Sequence, residues 1–457
     1  MSAGTRVAII GAGPAGFFAA EALLKSGDPV AIDLINRLPA PYGLVRDGVA
    51  PDHQAIKSVA RVYARILARE EVRYFGNVTL GEDLSVDDLR ACYDQIVYAV
   101  GAQSDRHLGI PGEDLEGSHA AFDFVGWYNA HPDFRGRRFD LGCEHVVVVG
   151  NGNVAIDVAR ILLHSPARLA TTDIADHALA ALRESRVRRV TVLGRRGPAQ
   201  ASFTNPELRE FGRLEGISAV ADGSELELDA VSQAAIEDDA VKTRNMATLR
   251  GYAERAPGDG DRVVRFRFFV SPLEFVGEGG RVAGVRIERN RLVAREDGYM
   301  RAIGTGETEV VPCGMVIRSV GYRGKPLPGV PFDERRGIVP NEGGRVVGGA
   351  GGGEAIPGEY VVGWAKRGPS GVIGTNKADA AATVALMRED LEAGILAGGH
   401  SGGDLAQLLL ARGPDWVDHE GWKRLDAHET ARGKAEGRPR VKLCSVAEML
   451  EVTGSPG

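Results

Sequence analysis

Val7-Ala8-Ile9-Ile10-Gly11-Ala12-Gly13-Pro14-Ala15-Gly16 is the stretch on which the fold turns. A short apolar run rich in β-branched residues meets three glycines spaced GxGxxG. Helix-like residues 17–25 follow, and a second apolar run occupies residues 30–35. This order predicts a βαβ opening. Each glycine then has its own role. Gly11 makes the tight turn, Gly13 lets a diphosphate approach the backbone, and Gly16 lets helix and strand pack closely. The phosphates face the helix N-terminus. GxGxxG alone fits an ordinary glycine-rich turn, whereas the flanking strand, helix and second strand favour a nucleotide site.

Such a unit carries an acidic residue about 20 positions on, where it binds the ribose hydroxyls. Here Asn36 stands at the end of the second strand. An amide is expected to hold a hydroxyl more weakly than a carboxylate does. Asp33 is no substitute, because strand periodicity puts positions 33 and 36 on opposite faces.

A second unit begins at His145. Val146-Val147-Val148-Val149 leads into Gly150-Asn151-Gly152-Asn153-Val154-Ala155 and helix-like residues 156–163. Alanine is an accepted third residue of the fingerprint. Two motifs imply two dinucleotides. The next strand-like run, residues 190–193, ends in Gly194-Arg195-Arg196, which puts two guanidiniums where the adenine-side ribose should lie. That favours a 2′-phosphate, hence NADPH over NADH. Residues 166–185 read as a helical insertion that lengthens this unit.

With 457 residues the chain is long enough for about three domain-equivalents. A net charge of −7 opposes wholesale nucleic-acid binding. Cys92, Cys143, Cys313 and Cys444 lie far apart, which excludes a CxxC redox pair and iron–sulfur ligand spacing. No metal site is expected. Neither a run long enough to span a bilayer nor a leader-like start is present, so a soluble cytoplasmic protein is expected.

Charge is segregated in the middle of the chain. Residues 183–213 hold eight Arg against three acidic residues, residues 214–239 eight acidic and no basic, and residues 240–291 eleven basic against six acidic. Solvated surface explains such a pattern, and so does a docking face for an acidic protein; Arg244, Arg250 and Arg265 are the candidate contacts. The glycine-rich segment 343–353 reads as a surface loop. Residues 359–364 read as a strand ending in an aromatic, and residues 371–374 should sit at the start of a helix spanning 378–391. The N-terminus of that helix suits an anionic reduced flavin.

Taken together, the segments 11–16, 41–53 (Pro41-Tyr42-Gly43-Leu44-Val45-Arg46-Asp47-Gly48-Val49-Ala50-Pro51-Asp52-His53), 98–106, 150–157, 194–198 and 361–377 resemble the adrenodoxin reductase family, and most of all its bacterial ferredoxin-NADP reductases. The resemblance covers nearly the whole chain. It implies an α/β fold with two Rossmann-like dinucleotide-binding domains: an FAD domain built from both chain ends (1–105 and 323–457) and an inserted NADP domain (106–322). FAD would then contact Gly11, Gly13, Ala15, Asn36, Leu44, Leu80, Trp364, Gly371, Val372 and Ile373. NADPH would contact Arg106, Asn151, Gly152, Asn153, Val154, Arg195, Arg196, Glu207 and Gly371. His53 and Asp157 match positions near the nicotinamide–flavin junction, where a His of near-neutral pKa relays a proton or serves as a structural hydrogen-bonding group.

The implied reaction is hydride transfer from NADPH to FAD, then single-electron delivery to an acidic iron–sulfur protein such as a ferredoxin, feeding cytochrome P450 or similar acceptors. Flavin suits it because nicotinamide releases two electrons together while a cluster accepts one. Two other readings share the motifs. One is an NADPH-oxidising subunit of glutamate synthase type, disfavoured by the lack of N-terminal cysteine clusters. The other is a redox sensor that holds both nucleotides without turnover.

Overall fold

In the computed structural model two parallel sheets carry the two glycine motifs, and residues 4–237, 239–296, 299–349, 351–398 and 403–454 are described. Contacts divide the chain into two units: Met1–Ser104, Asn129–Asp133 and Gly321–Gly457 form the first, Asp105–Tyr128 and Phe134–Val320 the second. The sequence puts residues 129–133 inside the central segment. The structure corrects this and groups them with the chain ends. The cause is local: Asn129 is fully buried and accepts from Lys57 and Lys442, and Asp133 pairs with Arg37.

In the first unit, strands Val72–Gly76, Val30–Asn36, Thr5–Ile10, Gln95–Tyr98 and Ala355–Val361 lie side by side in that order, all parallel. Apolar side chains of the first strand enter both faces, as a parallel sheet covered on each side requires: Val7 and Ile9 join one core, Ala8 and Ile10 the other. Strand order reverses at Thr5–Ile10, which has the second strand on one side and Gln95–Tyr98 on the other. The crevice outside its carboxyl end is therefore the expected ligand position. The helices Pro14–Lys25 and Thr375–Glu392 pack on each other over this sheet.

Glycine-rich residues 343–353 are corrected in part. Gly343 and Gly344 turn a short antiparallel ladder between Asn341–Glu342 and Arg345–Val347, which extends the main sheet.

The second unit has strand order Ser118–Ala120, Met315–Arg318, His145–Val149, Arg189–Leu193, Arg262–Arg267, Ile217–Ala221, all parallel. Its order reverses at His145–Val149. A separate three-stranded antiparallel sheet, Val270–Glu278, Arg281–Ala294 and Met300–Pro312, is appended. The predicted insertion contains the helices Pro166–Leu169 and Asp176–Arg183.

Candidate functional site: two glycine cradles

The glycines of each motif separate into those the fold needs and one it does not. Gly11 (φ +114°) and Gly150 (φ +124°) lie in the left-handed region, and a Cβ on either would strike a backbone carbonyl, that of Ala99 or Ser319. A Cβ at Gly16 would run into the Gly11 carbonyl. Gly13 and Gly152 differ. Their backbones are extended (φ −94° and −97°), a conformation open to any residue. A Cβ at Gly152 would meet nothing within 4 Å, and at Gly13 only the Gly43 Cα at 3.9 Å. Each is the N-cap of its helix, Pro14–Lys25 or Asn153–Leu163. Nothing in the chain requires glycine there, whereas a diphosphate on the helix N-terminus does. The residues present thus fit a dinucleotide at each motif.

Around the first cradle, strand ends converge: Ile10 pairs with Ile35 and Tyr98, and Tyr98 with Val361. Ala15 is buried beneath Gly363 (φ +70°), where a Cβ would collide with its methyl. Asp379 accepts from the Gly363 N–H at 2.6 Å and pairs with Lys366 at 3.1 Å, fixing the turn that presents Trp364. The Trp364 indole donates to the Ser370 carbonyl and lies 5.6 Å from the Tyr322 ring.

Gly371 (φ +79°) turns the chain into the helix Thr375–Glu392, which starts three residues earlier than the sequence suggests because Gly374 is its N-cap. Val372 is 58% exposed, the most exposed large apolar side chain among the described residues, while Ile373 packs against the core. An apolar side chain uncovered beside a helix N-terminus fits a flavin ring, apolar at its rim and anionic when reduced. Leu44 opens the short helix Leu44–Asp47, and Leu80 is buried.

Asn36 does something the sequence did not indicate. Its Oδ1 accepts from the Ala12 N–H at 3.2 Å, and its amide donates to the carbonyls of Leu38 at 2.8 Å and Ala40 at 3.1 Å. Both N–H groups are engaged within the chain, so Asn36 braces the glycine loop and keeps only acceptor capacity for a hydroxyl. Asp33, on the opposite face, is buried against Arg73 and the Tyr93 hydroxyl.

In the second cradle, the Asn153 side chain accepts from the Thr204 N–H at 2.8 Å and the Asn151 carbonyl accepts from Ser202. Asn151 and Val154 are half-buried beside Gly152. Arg195 is exposed and Arg196 half-buried; among the described residues neither pairs with a carboxylate, although many other arginines here do. Two unneutralised guanidiniums at a strand end suit a phosphate. Glu207, in the helix Asn205–Glu210, has one carboxylate oxygen buried with no hydrogen-bond partner among the described residues. Arg106 is exposed in this unit, while Gly371 belongs to the first.

His53 is half-buried and caps the turn Gln54–Lys57 with its backbone carbonyl. Asp157 forms an ion pair at 2.8 Å with Arg160, a fully buried side chain that also faces Glu210 at 3.6 Å. That contact gives Asp157 charge-neutralising work within its own helix. Arg244, Arg250 and Arg265 are all exposed. Part of the acidic stretch before them is structural: Asp222 caps a turn, and Glu225 is buried between Arg267 and the Phe268 N–H. All four cysteines are free. No described helix is long and apolar enough to cross a membrane.

Sequence reasoning missed Asp379, and also the buried partner of Arg46. That guanidinium makes two bonds to Glu429, at 2.7 and 2.6 Å, tying the helix His419–Ala435 beneath residues 41–48. Neither acid carries a local signal.

Residues 5–213 match the model of the pyridine nucleotide-disulphide oxidoreductase family. The chain is 49% identical to the NADPH-ferredoxin reductase FprA of Mycobacterium tuberculosis, over 98% of both chains. It is 41% identical to the mitochondrial NADPH:adrenodoxin oxidoreductase of Arabidopsis thaliana, over 97% of this chain and 94% of that one. The solved structure of Mycobacterium tuberculosis FprA in complex with NADPH superimposes with a TM-score of 0.93 at 48% identity, covering 98% of this chain and 99% of that one.

Proposed function

The chain belongs to the family of NADPH-ferredoxin and adrenodoxin reductases, and from that premise we propose that it draws electrons from NADPH and delivers them singly to an acidic ferredoxin-type iron–sulfur protein. It is an NADPH-dependent flavoprotein oxidoreductase, with FAD and NADPH as cofactors. When bound, FAD supplies the exchange between a two-electron donor and one-electron acceptors. The iron–sulfur partner in turn serves a cytochrome P450 or a similar acceptor, and the protein works in the cytoplasm.

What this chain's residues do follows from the two cradles. Gly13 and Gly152 admit the diphosphates, and the N-termini of their helices hold them. Arg195 and Arg196 read the 2′-phosphate. Gly363, Trp364, Gly371, Val372 and Ile373 shape the flavin's surroundings. His53 holds or passes a proton near the reacting rings, while Asp157 keeps Arg160 neutralised. With no CxxC pair, disulfide chemistry is no part of this activity.

The observation that carries this reading is that Gly13 and Gly152 are the motif glycines with neither a steric nor a conformational need within the chain. The test is the spectrum and fate of the flavin. The purified protein should show a flavin spectrum bleached by NADPH, and acid precipitation should leave FAD in the supernatant. Flavin retained in the pellet, FMN in place of FAD, or no flavin at all would overturn it.

A further inference from the structure

The segment 194–197, which carries Arg195 and Arg196, is held by residues far along the chain. Gly194 donates its N–H to the Arg267 carbonyl at 2.9 Å and accepts from the Val270 N–H at 3.1 Å. The Arg196 carbonyl accepts from the Phe269 N–H at 3.1 Å. The Arg195 carbonyl accepts from the side-chain amide of Asn290 at 2.8 Å, and the same amide donates to the Ser271 hydroxyl at 2.8 Å. Asn290 is buried, and its own N–H donates to the Phe269 carbonyl at 2.6 Å. Three successive carbonyls, 194 to 196, are thus all pinned.

Two further observations mark this clamp as more than routine packing. Phe269 sits at φ +56°, a left-handed conformation that a bulky residue adopts only when its surroundings enforce it. The Arg196 guanidinium lies over the Tyr299 ring, 5.1 Å from its centroid. Tyr299 is 41% exposed, so the stacking orders a side chain at the surface, where an arginine otherwise loses much rotamer entropy on binding.

We propose that Asn290, in the strand Arg281–Ala294, and Tyr299, which immediately precedes its hairpin partner Met300–Pro312, are positioning residues that preset Arg195 and Arg196 for a 2′-phosphate. Nucleotide selectivity then resides partly in this appended hairpin, 95 residues beyond Arg195. The gain is preorganisation: backbone and guanidinium are ordered before the phosphate arrives, so less entropy is lost in binding it. This rests on reading Arg195 and Arg196 as the 2′-phosphate site.

The test measures binding of 2′,5′-ADP and of 5′-AMP to the holoprotein by calorimetry, for Tyr299→Leu, Tyr299→Phe, Asn290→Ala and the double variant Arg195→Ser/Arg196→Ser. The expected result is a two- to fivefold weaker affinity for 2′,5′-ADP in Tyr299→Leu, about the strength of an exposed cation–π contact. Asn290→Ala should lose on the order of tenfold. Tyr299→Phe should match the wild type, because the ring and not the hydroxyl stacks. 5′-AMP is the reference: a generally disordered site would lose both ligands together. If the double arginine variant loses 2′,5′-ADP selectively while Tyr299→Leu and Asn290→Ala bind it like the wild type, or lose both ligands equally, the clamp is wrong and the 2′-phosphate reading stands. If the double variant shows no selective loss, the reading itself fails and takes the clamp with it.

Discussion

Arg46 and Glu429, 383 positions apart, form a two-pronged ion pair in which the guanidinium is 5% and the carboxylate 0% exposed. Glu429 also accepts from the Leu443 N–H at 2.9 Å and from Arg440 at 3.2 Å, so each of its oxygens is satisfied. The pair joins the helix His419–Ala435 to the segment 41–48 that lies beside the first glycine cradle. Replacing Glu429 takes from the buried Arg46 its two-pronged partner and leaves Asp47 at 3.6 Å beside it.

Glu429→Gln should therefore cost about 3–5 kcal/mol. It should also lower flavin retention, because residues 41–48 lose their support. The pH dependence has a sign. Burial alone would raise the Glu429 pKa, but Arg46 and Arg440 hold it below the usual carboxylate range. Its contribution is present above the unfolded-state value of about 4.3 and is lost as pH falls through the lower folded value. Urea denaturation between pH 3 and 7 should show a shallower acid slope for the variant than for the wild type. Parallel slopes would show that Glu429 does not titrate with folding.

Gly13→Ala and Gly152→Ala form a paired prediction. Neither substitution meets a clash or a forbidden φ, and the lower unfolded-state entropy of alanine offsets its poorer N-capping, so the stability of the flavin-free protein should change by less than about 1 kcal/mol. Gly13→Ala should nonetheless be purified with little FAD. Gly152→Ala should keep its FAD and show a KM for NADPH raised on the order of tenfold or more. Melting curves and flavin content check both. Wild-type FAD content in Gly13→Ala would show that the space beside Gly13 is not the diphosphate's.

Asn36→Asp puts an acid where such motifs usually carry one, and a simple reading expects tighter FAD. The structure predicts the reverse. A carboxylate cannot donate to the Leu38 and Ala40 carbonyls, and leaving those bonds unmade costs about 1–3 kcal/mol. FAD dissociation, followed by the recovery of flavin fluorescence on dilution, should be faster in the variant than in the wild type.

Docking of an acidic partner should depend on salt. Exposed Arg244, Arg250 and Arg265 are the proposed contacts; charges of this kind steer at long range, and screening sets in beyond a Debye length of about 8 Å at physiological ionic strength. NADPH-saturated ferredoxin reduction should slow with added salt more steeply than ferricyanide reduction. Equal salt slopes, or an unchanged ferredoxin KM after charge reversal at the three arginines, would place the docking face elsewhere.

The local parts of this protein are readable in its sequence and the distant ones are not. Strand Thr5–Ile10 and helix Pro14–Lys25 follow from a short apolar run meeting GxGxxG, because turn, cap and helix start are set by neighbouring residues. The sequence pattern omits residues 375–377 from their helix, since Thr375 and Asn376 look like turn formers. Glycines 343 and 344 read as loop because their composition hides the short ladder they connect. Asn290 and Glu429 show the limit more sharply. Each is an ordinary polar residue whose role is defined by a partner that folding brings to it, and across 95 or 383 positions no local pattern marks that partner.

The most direct test of the account is an anaerobic titration of the purified holoprotein, with NADPH and NADH added in separate series and oxidised ferredoxin added once the flavin has been bleached. NADPH should bleach the flavin stoichiometrically and NADH should do so far less readily. Added ferredoxin should then restore the flavin absorbance as its own cluster is reduced. A flavin that NADPH cannot bleach, that NADH bleaches equally well, or that ferredoxin leaves reduced while ferricyanide reoxidises it would contradict the account.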